Sequence, residues 1–305
     1  MAAKHVLVTG ANRGIGYAIV KGLVEGGVHT FLGSRDVGLG EEAKKSLGPA
    51  AEALVTVVQL DVTDDESVKG AVATVKAALG GTKLTGLINN AGSAFGGMSF
   101  TSTDAFNKTM DLNFNGATVR VTEAFMDTID TESGAGRVVF VSSGAAPTFV
   151  GKCSPERQAQ LCDVKTTSFE GLKSIATEAS ALAGGDDPEA VKAAFASAGL
   201  GDGAPYHFSK ALMSGYCQVL AKKYPNLRTN SCSPGFIETD LTRAMAAGYG
   251  KTPQEMGMKQ PEDGAKCPLF LMLGEPIGRG WYYGSDCERS PMDKYRSPGD
   301  PPYVE

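Results

Sequence analysis

The chain has 305 residues, of which 42% are hydrophobic, and a formal net charge of -5 at pH 7. This acidic balance disfavours a nucleic-acid partner, because phosphate binding needs a basic surface. We expect no membrane association, since no apolar run is long enough to span a bilayer and a strand near His5 leaves no room for a signal peptide. The six cysteines show no paired spacing and the three histidines are scattered, which predicts a cytoplasmic protein with reduced thiols and no metal site.

Short β-branched runs alternate with amphipathic helical stretches, with no linker between halves. This pattern predicts one α/β unit with a mostly parallel sheet and helices on both faces. Predicted strands cover 5–8, 29–34, 54–60, 85–89, 137–142, 228–233 and 280–283. Predicted helices cover 14–25, 39–47, 65–79, 103–111, 113–129, 206–223, 239–247 and 261–273. Thr63 and Glu66 have the spacing of a capping box that opens the third helix. The tail 290–305 holds four prolines and is predicted to be extended.

The alternation of predicted strands and helices stops over residues 146–204. Ser154-Pro155-Glu156 and Asp187-Pro188-Glu189 each read as a helix N-cap followed by proline at the first helical position. A third amphipathic helix is predicted from Ser168 to Ala183. We therefore predict a helical insertion that packs onto the main fold; the alternative is a disordered surface loop.

A glycine-rich turn joins the first strand to the first helix. Gly10, Gly14 and Gly16 allow the backbone to approach a ligand closely, and the start of the helix directs N–H groups and its positive end at one spot. That arrangement suits a pyrophosphate, so the turn predicts a dinucleotide site. A tight turn without a ligand is the alternative.

Tyr206 and Lys210 lie four residues apart at the start of a predicted helix and therefore share one face. An ammonium beside a phenol lowers the phenol pKa, which suits a proton donor or acceptor. Two other predicted strands end in polar residues, one at Ser142 and Ser143 and one in the run 89–92. The carboxyl ends of parallel strands line the ligand crevice of such folds.

At these residues the chain resembles the short-chain dehydrogenase/reductase family, and over residues 146–204 it is similar to the family's monomeric carbonyl reductases. The matching motifs are Thr9-Gly10-x-x-x-Gly14-x-Gly16, Asp61, Asn89-Asn90-Ala91-Gly92, Asn113, Ser143, Tyr206-x-x-x-Lys210, Ser233-Pro234-Gly235 and Thr239-Asp240. They occur in the family's order over about residues 5–285. The resemblance implies a single-domain, doubly wound parallel sheet of Rossmann type over residues 1–289, which binds a nicotinamide cofactor and transfers a hydride.

The resemblance also assigns catalytic roles. Tyr206 is implied as the general acid, Lys210 as the group that lowers its pKa and holds the nicotinamide ribose, and Ser143 as the donor to the substrate carbonyl. Asn113 is implied to anchor a water in a proton relay to Lys210. Ser142 is the fallback for the serine. Donors already placed around a developing oxyanion are what carbonyl reduction requires.

Basic residues mark the cofactor end. Arg13 lies inside the glycine turn and Arg35 follows the second strand, and two guanidiniums near one site favour the 2′-phosphate of NADPH over NADH. Asp36 could instead pair with Arg35. The resemblance implies further cofactor contacts. These are Gly10, Asn12, Gly14, Ile15, Gly16, Asp61, Val62, Asn89, Ala91, Gly92, Tyr206, Lys210, Pro234, Gly235, Ile237 and Thr239.

Apolar side chains in the loops after the strands suit a hydrophobic ketone, aldehyde or quinone. The expected pocket residues are Phe95, Phe149 and Phe236, with Ala94, Phe208 and Met245 beside them, and Ser143 also contacts substrate. The insertion is expected to cover the face of the Tyr206 helix through which relatives pair, which predicts a monomer. The prediction is an NADPH-dependent carbonyl reductase; a non-catalytic NADPH-binding sensor or scaffold, or a dehydrogenase working toward oxidation, are the alternatives.

Overall fold

Eight strands form one sheet in the computed structural model, which describes residues 4–185 and 187–304. In chain order they are β1 (His5–Val8), β2 (His29–Ser34), β3 (Val55–Gln59), β4 (Gly86–Asn89), β5 (Arg137–Val141), β6 (Arg228–Cys232), β7 (Tyr282–Tyr283) and β8 (Arg289–Ser290). Their order across the sheet is β3-β2-β1-β4-β5-β6-β7-β8, and only β7 and β8 pair antiparallel. The predicted doubly wound α/β fold is confirmed.

Helices cover both faces of this sheet. They are α1 (Gly14–Glu25), α2 (Val37–Ser46), α3 (Ala50–Leu54), α4 (Asp65–Leu79), α5 (Thr103–Met110), a π-helix (Asp111–Arg120), α6 (Val121–Phe125), α7 (Ala145–Val150), α8 (Pro155–Cys162), α9 (Phe169–Leu182), α10 (Pro188–Ser197), α11 (Pro205–Lys223), α12 (Asp240–Gly248) and α13 (Pro261–Leu273). A 3-10 turn follows α6. In the part of the chain that the structure describes, none of the helices has the length and apolar character needed to cross a membrane.

The sheet separates two hydrophobic cores. Val6 and Val8 of β1 point into a core with α1 and α13, whereas Leu7 between them points into the other core, with Phe106 of α5 and Leu212 of α11. This alternation is what a strand buried on both faces requires, because successive side chains point to opposite sides.

The connection from β3 returns to β4, which pairs with β1 on the side away from β2. The order of the strands therefore reverses between β1 and β4. A crevice opens at the carboxyl ends of the strands at such a point. The glycine turn after β1 and the polar residues that follow β4, β5 and β6 all lie at this edge.

The predicted helical insertion is present as α7 to α10. Ser154 and Asp187 are the predicted N-caps of α8 and α10, and Ser168 is the N-cap of α9; each side chain accepts a hydrogen bond from a backbone N–H in the first turn. Both α8 and α9 contact α11. At Gly215 of α11 an added Cβ would lie 2.7 Å from the Leu161 carbonyl oxygen, so the absence of a side chain there permits this close packing.

Several local predictions were wrong. The N-cap of α4 is Asp64 rather than Thr63, since the Asp64 carboxylate accepts from the N–H groups of Glu66 and Ser67. The two helices predicted over 103–129 form one continuous helical run through the π-helix. The short helices α3 and α7 and the strand β8 were not predicted.

The tail after β8 lacks regular structure but is bound to the body of the protein. The Arg296 guanidinium binds both carboxylate oxygens of Asp286 at 2.6 and 2.7 Å, and its side chain is only 6% exposed. The Gly299 N–H also donates to Asp286. The tail therefore folds back on the turn between β7 and β8.

Candidate active site

The ends of β1 and β4 are tied together by side chains. The Thr9 hydroxyl accepts hydrogen bonds from the N–H groups of Asn90 and Ala91, both at 3.0 Å. The Asn90 amide donates back to the carbonyls of Thr9 and Gly10, at 2.9 and 3.1 Å. These bonds fix the position of the glycine turn relative to the loop after β4.

The glycine turn itself depends on the absence of side chains. Gly10 and Gly14 have φ of 60° and 55°, a region that favours glycine. A Cβ on Gly16 would lie 2.5 Å from the Asn90 amide nitrogen and clash with the Gly10 carbonyl. Arg13 precedes α1 with extended backbone and contributes no side-chain cap, so the N–H groups at the start of α1 remain available to an anion.

Two further observations fit a bound dinucleotide. The Asn89 side chain is fully buried and its amide donates to the Thr122 hydroxyl, yet its Oδ1 has no partner among the described residues. Gly92 is exposed, and a Cβ there would come within 3.3 Å of both Asn113 Oδ1 and Lys210 Nζ. The glycine thus keeps open a path from the crevice to these two polar groups.

Tyr206 lies in the first turn of α11 and is half-buried. Burial raises the pKa of its phenol, while a hydrogen bond with the Ser143 side chain acts in the opposite direction. The raised pKa keeps the hydroxyl protonated at neutral pH, which is the form that a proton donor requires. Burial thus outweighs the expected lowering of the Tyr206 pKa by Lys210 here, and the roles assigned to both residues stay predictions.

Lys210 lies one helical turn further along α11, and its side chain is almost fully buried. Its ammonium donates to the Val141 carbonyl at the end of β5 at 2.8 Å and lies 5.7 Å from the centre of the Tyr206 ring. Burial lowers the pKa of Lys210 to about 8. Loss of hydration is the physical reason why its own proton affinity falls.

Asn113 is fully buried in the π-helix and is held by three hydrogen bonds. Its Oδ1 accepts from the Ser93 N–H, and its Nδ2 donates to the Ser93 carbonyl and the Ser209 hydroxyl, all at 2.9 Å. The Thr118 hydroxyl donates to the Asn113 carbonyl at 2.7 Å. This widened helical turn joins the loop after β4 to α11, next to Lys210.

The two serines after β5 have different surroundings. Ser142 is 2% exposed, and its hydroxyl bonds to the Lys210 carbonyl and to the Ser214 hydroxyl, which ties β5 to α11. Ser143 is half-buried, and its hydroxyl accepts from the Ala145 N–H at 3.2 Å. Of the two, Ser143 is the one that affects the pKa of Tyr206.

The basic residues lie at the other end of the crevice. Arg13 forms an ion pair of 2.7 Å with Asp240 at the start of α12, and both side chains are more than half exposed. Arg35 is exposed and, among the described residues, forms no ion pair. The Asp36 carboxylate caps α2 by accepting from the Leu39 N–H at 3.0 Å, so it does not pair with Arg35.

The other residues expected at the cofactor lie around the same edge. Gly14 faces the Thr239 methyl group, and the Ile15 and Ile237 side chains meet across Gly264. Thr239 caps α12 through reciprocal hydrogen bonds with Thr242. Asp61 accepts from Thr63, Val62 is buried, and Asn12, Pro234 and Gly235 are half-buried.

The expected substrate residues separate into two groups. Phe95 and Phe236 are each 39% exposed. Phe149 is only 1% exposed and packs on Phe208 with ring centres 5.3 Å apart, so both rings belong to the core and present no surface to a ligand. The prediction that Phe149 lines the pocket is wrong, because α7 turns its side chain toward α11.

Two contributors were missed by the sequence reasoning. Asn90 ties the strand ends together and lies within the quoted motif, so its position was the available signal. Tyr295 packs against Gly144, next to Ser143, with its ring carbon Cε2 2.8 Å from where a Cβ on that glycine would lie. Nothing in the local sequence of the tail indicates this contact.

Comparisons with known proteins agree with this geometry. Residues 4–153 match the short chain dehydrogenase family. The chain is 31% identical to (+)-neomenthol dehydrogenase of Arabidopsis thaliana over 294 residues, covering 88% of this chain and 91% of that protein. It is 32% identical to carbonyl reductase [NADPH] 1 of Rattus norvegicus over 289 residues, covering 90% of this chain and 92% of that protein.

Among solved structures, salutaridine reductase from Papaver somniferum superposes with a TM-score of 0.73 at 25% identity, covering 92% of this chain and 99% of that one. Relatives that match nearly from end to end at this identity share more than a sheet topology. The chain belongs to the short-chain dehydrogenase family of oxidoreductases.

Proposed function

We propose that this protein reduces the carbonyl group of a ketone, aldehyde or quinone to the alcohol, with NADPH as the hydride source. One observation carries the proposal: Ser143, Tyr206, Lys210 and Asn113 come from three separate segments and meet beside the opening kept by Gly92. A protein that only bound a nucleotide would not need a phenol, a serine hydroxyl and a buried ammonium brought together at that place.

The residues present account for the proton side of the reaction. The nicotinamide cofactor, when bound, supplies the hydride. The Ser143 hydroxyl is placed to donate a hydrogen bond to the substrate oxygen, and the protonated Tyr206 hydroxyl beside it donates the proton that completes the alcohol. Lys210 binds the Val141 carbonyl and Asn113 binds the Ser93 backbone, and these hydrogen bonds connect α11 and the π-helix to the loops around the site.

Arg13 and Arg35 support the choice of NADPH. Both guanidiniums are exposed at the cofactor end, and the acidic residue that could have bound a ribose hydroxyl, Asp36, is engaged as a helix cap. The ion pair of Arg13 with Asp240 is largely exposed and therefore costs little to exchange for a phosphate.

Turnover is tested by following NADPH oxidation at 340 nm with aromatic aldehydes, α-keto esters and quinones. We expect the wild type to be active and Tyr206→Phe to lose at least 100-fold in kcat, on the order of a missing general acid. Tyr224→Phe removes the same hydroxyl at the far end of α11 and should leave kcat unchanged. Activity that persists in Tyr206→Phe contradicts the mechanism.

Two other results would point to the alternatives. NADPH binding without turnover of any carbonyl or alcohol in the panel favours a sensor or scaffold. Alcohol oxidation with NADP+ that far exceeds carbonyl reduction at equal saturation favours a dehydrogenase. Both outcomes overturn the proposed reductase.

The cofactor is tested by titration. We expect Arg13→Ala and Arg35→Ala to raise the Kd for NADPH by roughly tenfold each, the size of one charge-assisted hydrogen bond, while the Kd for NADH changes little. Glu41→Ala on the exposed surface of α2 is a control that removes a charge nearby. Tighter binding of NADH than of NADPH by the wild type would refute the assignment.

A further inference from the structure

The C-terminal segment 291–296 lies against both helices that frame the candidate active site. Met292 lines a small cavity together with Ala146 and Pro147 of α7 and Ala211 of α11. The Gln218 amide nitrogen lies 2.9 Å from its sulfur. The segment therefore closes one side of the space between the helix that follows Ser143 and the helix that carries the tyrosine and lysine.

Tyr295 extends this contact to the catalytic serine. Its ring carbons Cε2 and Cδ2 lie 2.8 and 3.2 Å from where a Cβ on Gly144 would be, and Gly144 directly follows Ser143. The tyrosine is nevertheless 55% exposed. One edge of the ring is thus packed on the backbone beside the reacting hydroxyl, while more than half of the side chain remains open to a ligand.

The neighbouring residue anchors this tyrosine. The Arg296 guanidinium donates to both carboxylate oxygens of Asp286, and its Nε donates to the Ser290 hydroxyl at 3.0 Å. A buried, bidentate pair of this kind holds its position far better than an exposed one. Ser285, which precedes Asp286, lies against Gly235: its Cβ is 3.1 Å from where a Cβ on Gly235 would be. The anchor is therefore built on the turn that touches the proposed cofactor loop.

We propose that the segment 291–296 forms a wall of the substrate site, and that Tyr295 selects carbonyl substrates that carry an aromatic ring. This rests on the proposed reductase function. An exposed aromatic ring fixed beside the carbonyl-binding serine offers a stacking partner at little cost in conformational entropy. Small aliphatic substrates, which do not extend past Ser143, gain nothing from it.

The test compares benzaldehyde with propanal as substrates. We expect Tyr295→Ala to raise KM for benzaldehyde by about three- to tenfold, the size of one aromatic contact, with kcat within twofold and KM for propanal unchanged. Tyr295→Phe keeps the ring and should restore the wild-type KM. Ile277→Ala removes another large apolar side chain that is 78% exposed and serves as the control.

A second pair of variants tests the contact itself. Gly144→Ala places a methyl group against the ring and should raise KM for benzaldehyde in the wild type but have no further effect in Tyr295→Ala. Arg296→Gln should reproduce the Tyr295→Ala effect by releasing the segment. NADPH binding, measured by fluorescence, should remain unchanged in Tyr295→Ala and shows that this variant is folded.

The outcomes separate the two proposals. An active wild type whose Tyr295→Ala variant keeps the same KM for benzaldehyde, or loses equally with both aldehydes, overturns the role of Tyr295 alone. A wild type that reduces no carbonyl overturns the reductase function, and the proposed substrate wall with it.

Discussion

Lys210 carries a measurable cost for the fold. Its side chain is 3% exposed, and burial lowers its pKa from 10.5 to about 8. At about 1.4 kcal/mol per pH unit, this difference corresponds to about 3 kcal/mol of unfolding free energy. Lys210→Met replaces the ammonium by an apolar chain of similar length and removes that cost. It also leaves the Val141 carbonyl unpaired, which costs about 1–3 kcal/mol.

The sign of the pH dependence follows from proton counting. Between pH 8 and 10.5 the unfolded chain keeps a proton on Lys210 that the folded protein has already lost. Wild-type stability therefore gains from this residue as the pH rises through that window, and the full cost of the buried charge applies below pH 8. We expect Lys210→Met to be as stable as the wild type or more stable near pH 7, by about 1 kcal/mol, and less stable near pH 10.

Urea unfolding of the cofactor-free protein at pH 7, 8, 9 and 10 checks this. Only the difference between variant and wild type is used, because other titrating groups cancel in it. Lys45→Met on the surface of α2 gives the background of losing an exposed ammonium. A difference between Lys210→Met and the wild type that stays constant from pH 7 to 10 would refute the reasoning.

Three further predictions concern the site and its frame. Asn113→Ala removes three hydrogen bonds of a buried side chain, to Ser93 and Ser209, and should lower the free energy of unfolding by about 3 kcal/mol, measured in urea; a loss below 1 kcal/mol would contradict the described network. Gly16→Ala should weaken NADPH binding by more than tenfold, because its methyl group meets backbone that cannot move, whereas Gly70→Ala on α4 meets nothing within 4 Å and should bind normally. Light scattering should give a mass near 31.7 kDa for a monomer, since α8 and α9 cover α11; twice or four times that mass would rule it out.

Elements with local signals were predicted closely. The bounds of β1, α1 and β2 agree with the prediction to the residue, because the glycine turn and the break after Glu25 are encoded within a few residues. The insertion helices α8, α9 and α10 were predicted for the same reason, since each begins at a side chain that caps its own first turn. At α4 the same kind of signal failed by one position: both Thr63 and Asp64 can cap, and the carboxylate accepts two N–H groups.

Elements held by distant contacts were missed. The helix α7 has six residues and no side-chain cap, and it contacts α11, about sixty residues further along the chain. Because α7 was not predicted, Phe149 was expected in a loop at the strand ends, and its burial against Phe208 could not be anticipated. The tail is a second case. Prolines predict an extended chain, but the choice of Asp286 as the partner of Arg296 depends on the β7–β8 turn.

The chemistry of the site shows the same division between local pairing and environment. Spacing along α11 correctly places Tyr206 and Lys210 on one face, where a pairwise argument lets the ammonium acidify the phenol. Packing around α11 buries both groups at once, and burial disfavours each charged form: the pKa of Tyr206 rises while that of Lys210 falls. The Ser143 hydroxyl opposes the rise at the tyrosine. Because the Ser143 hydroxyl acts against the effect of burial on the Tyr206 pKa, we expect loss of Ser143 to impair proton donation as well as substrate binding.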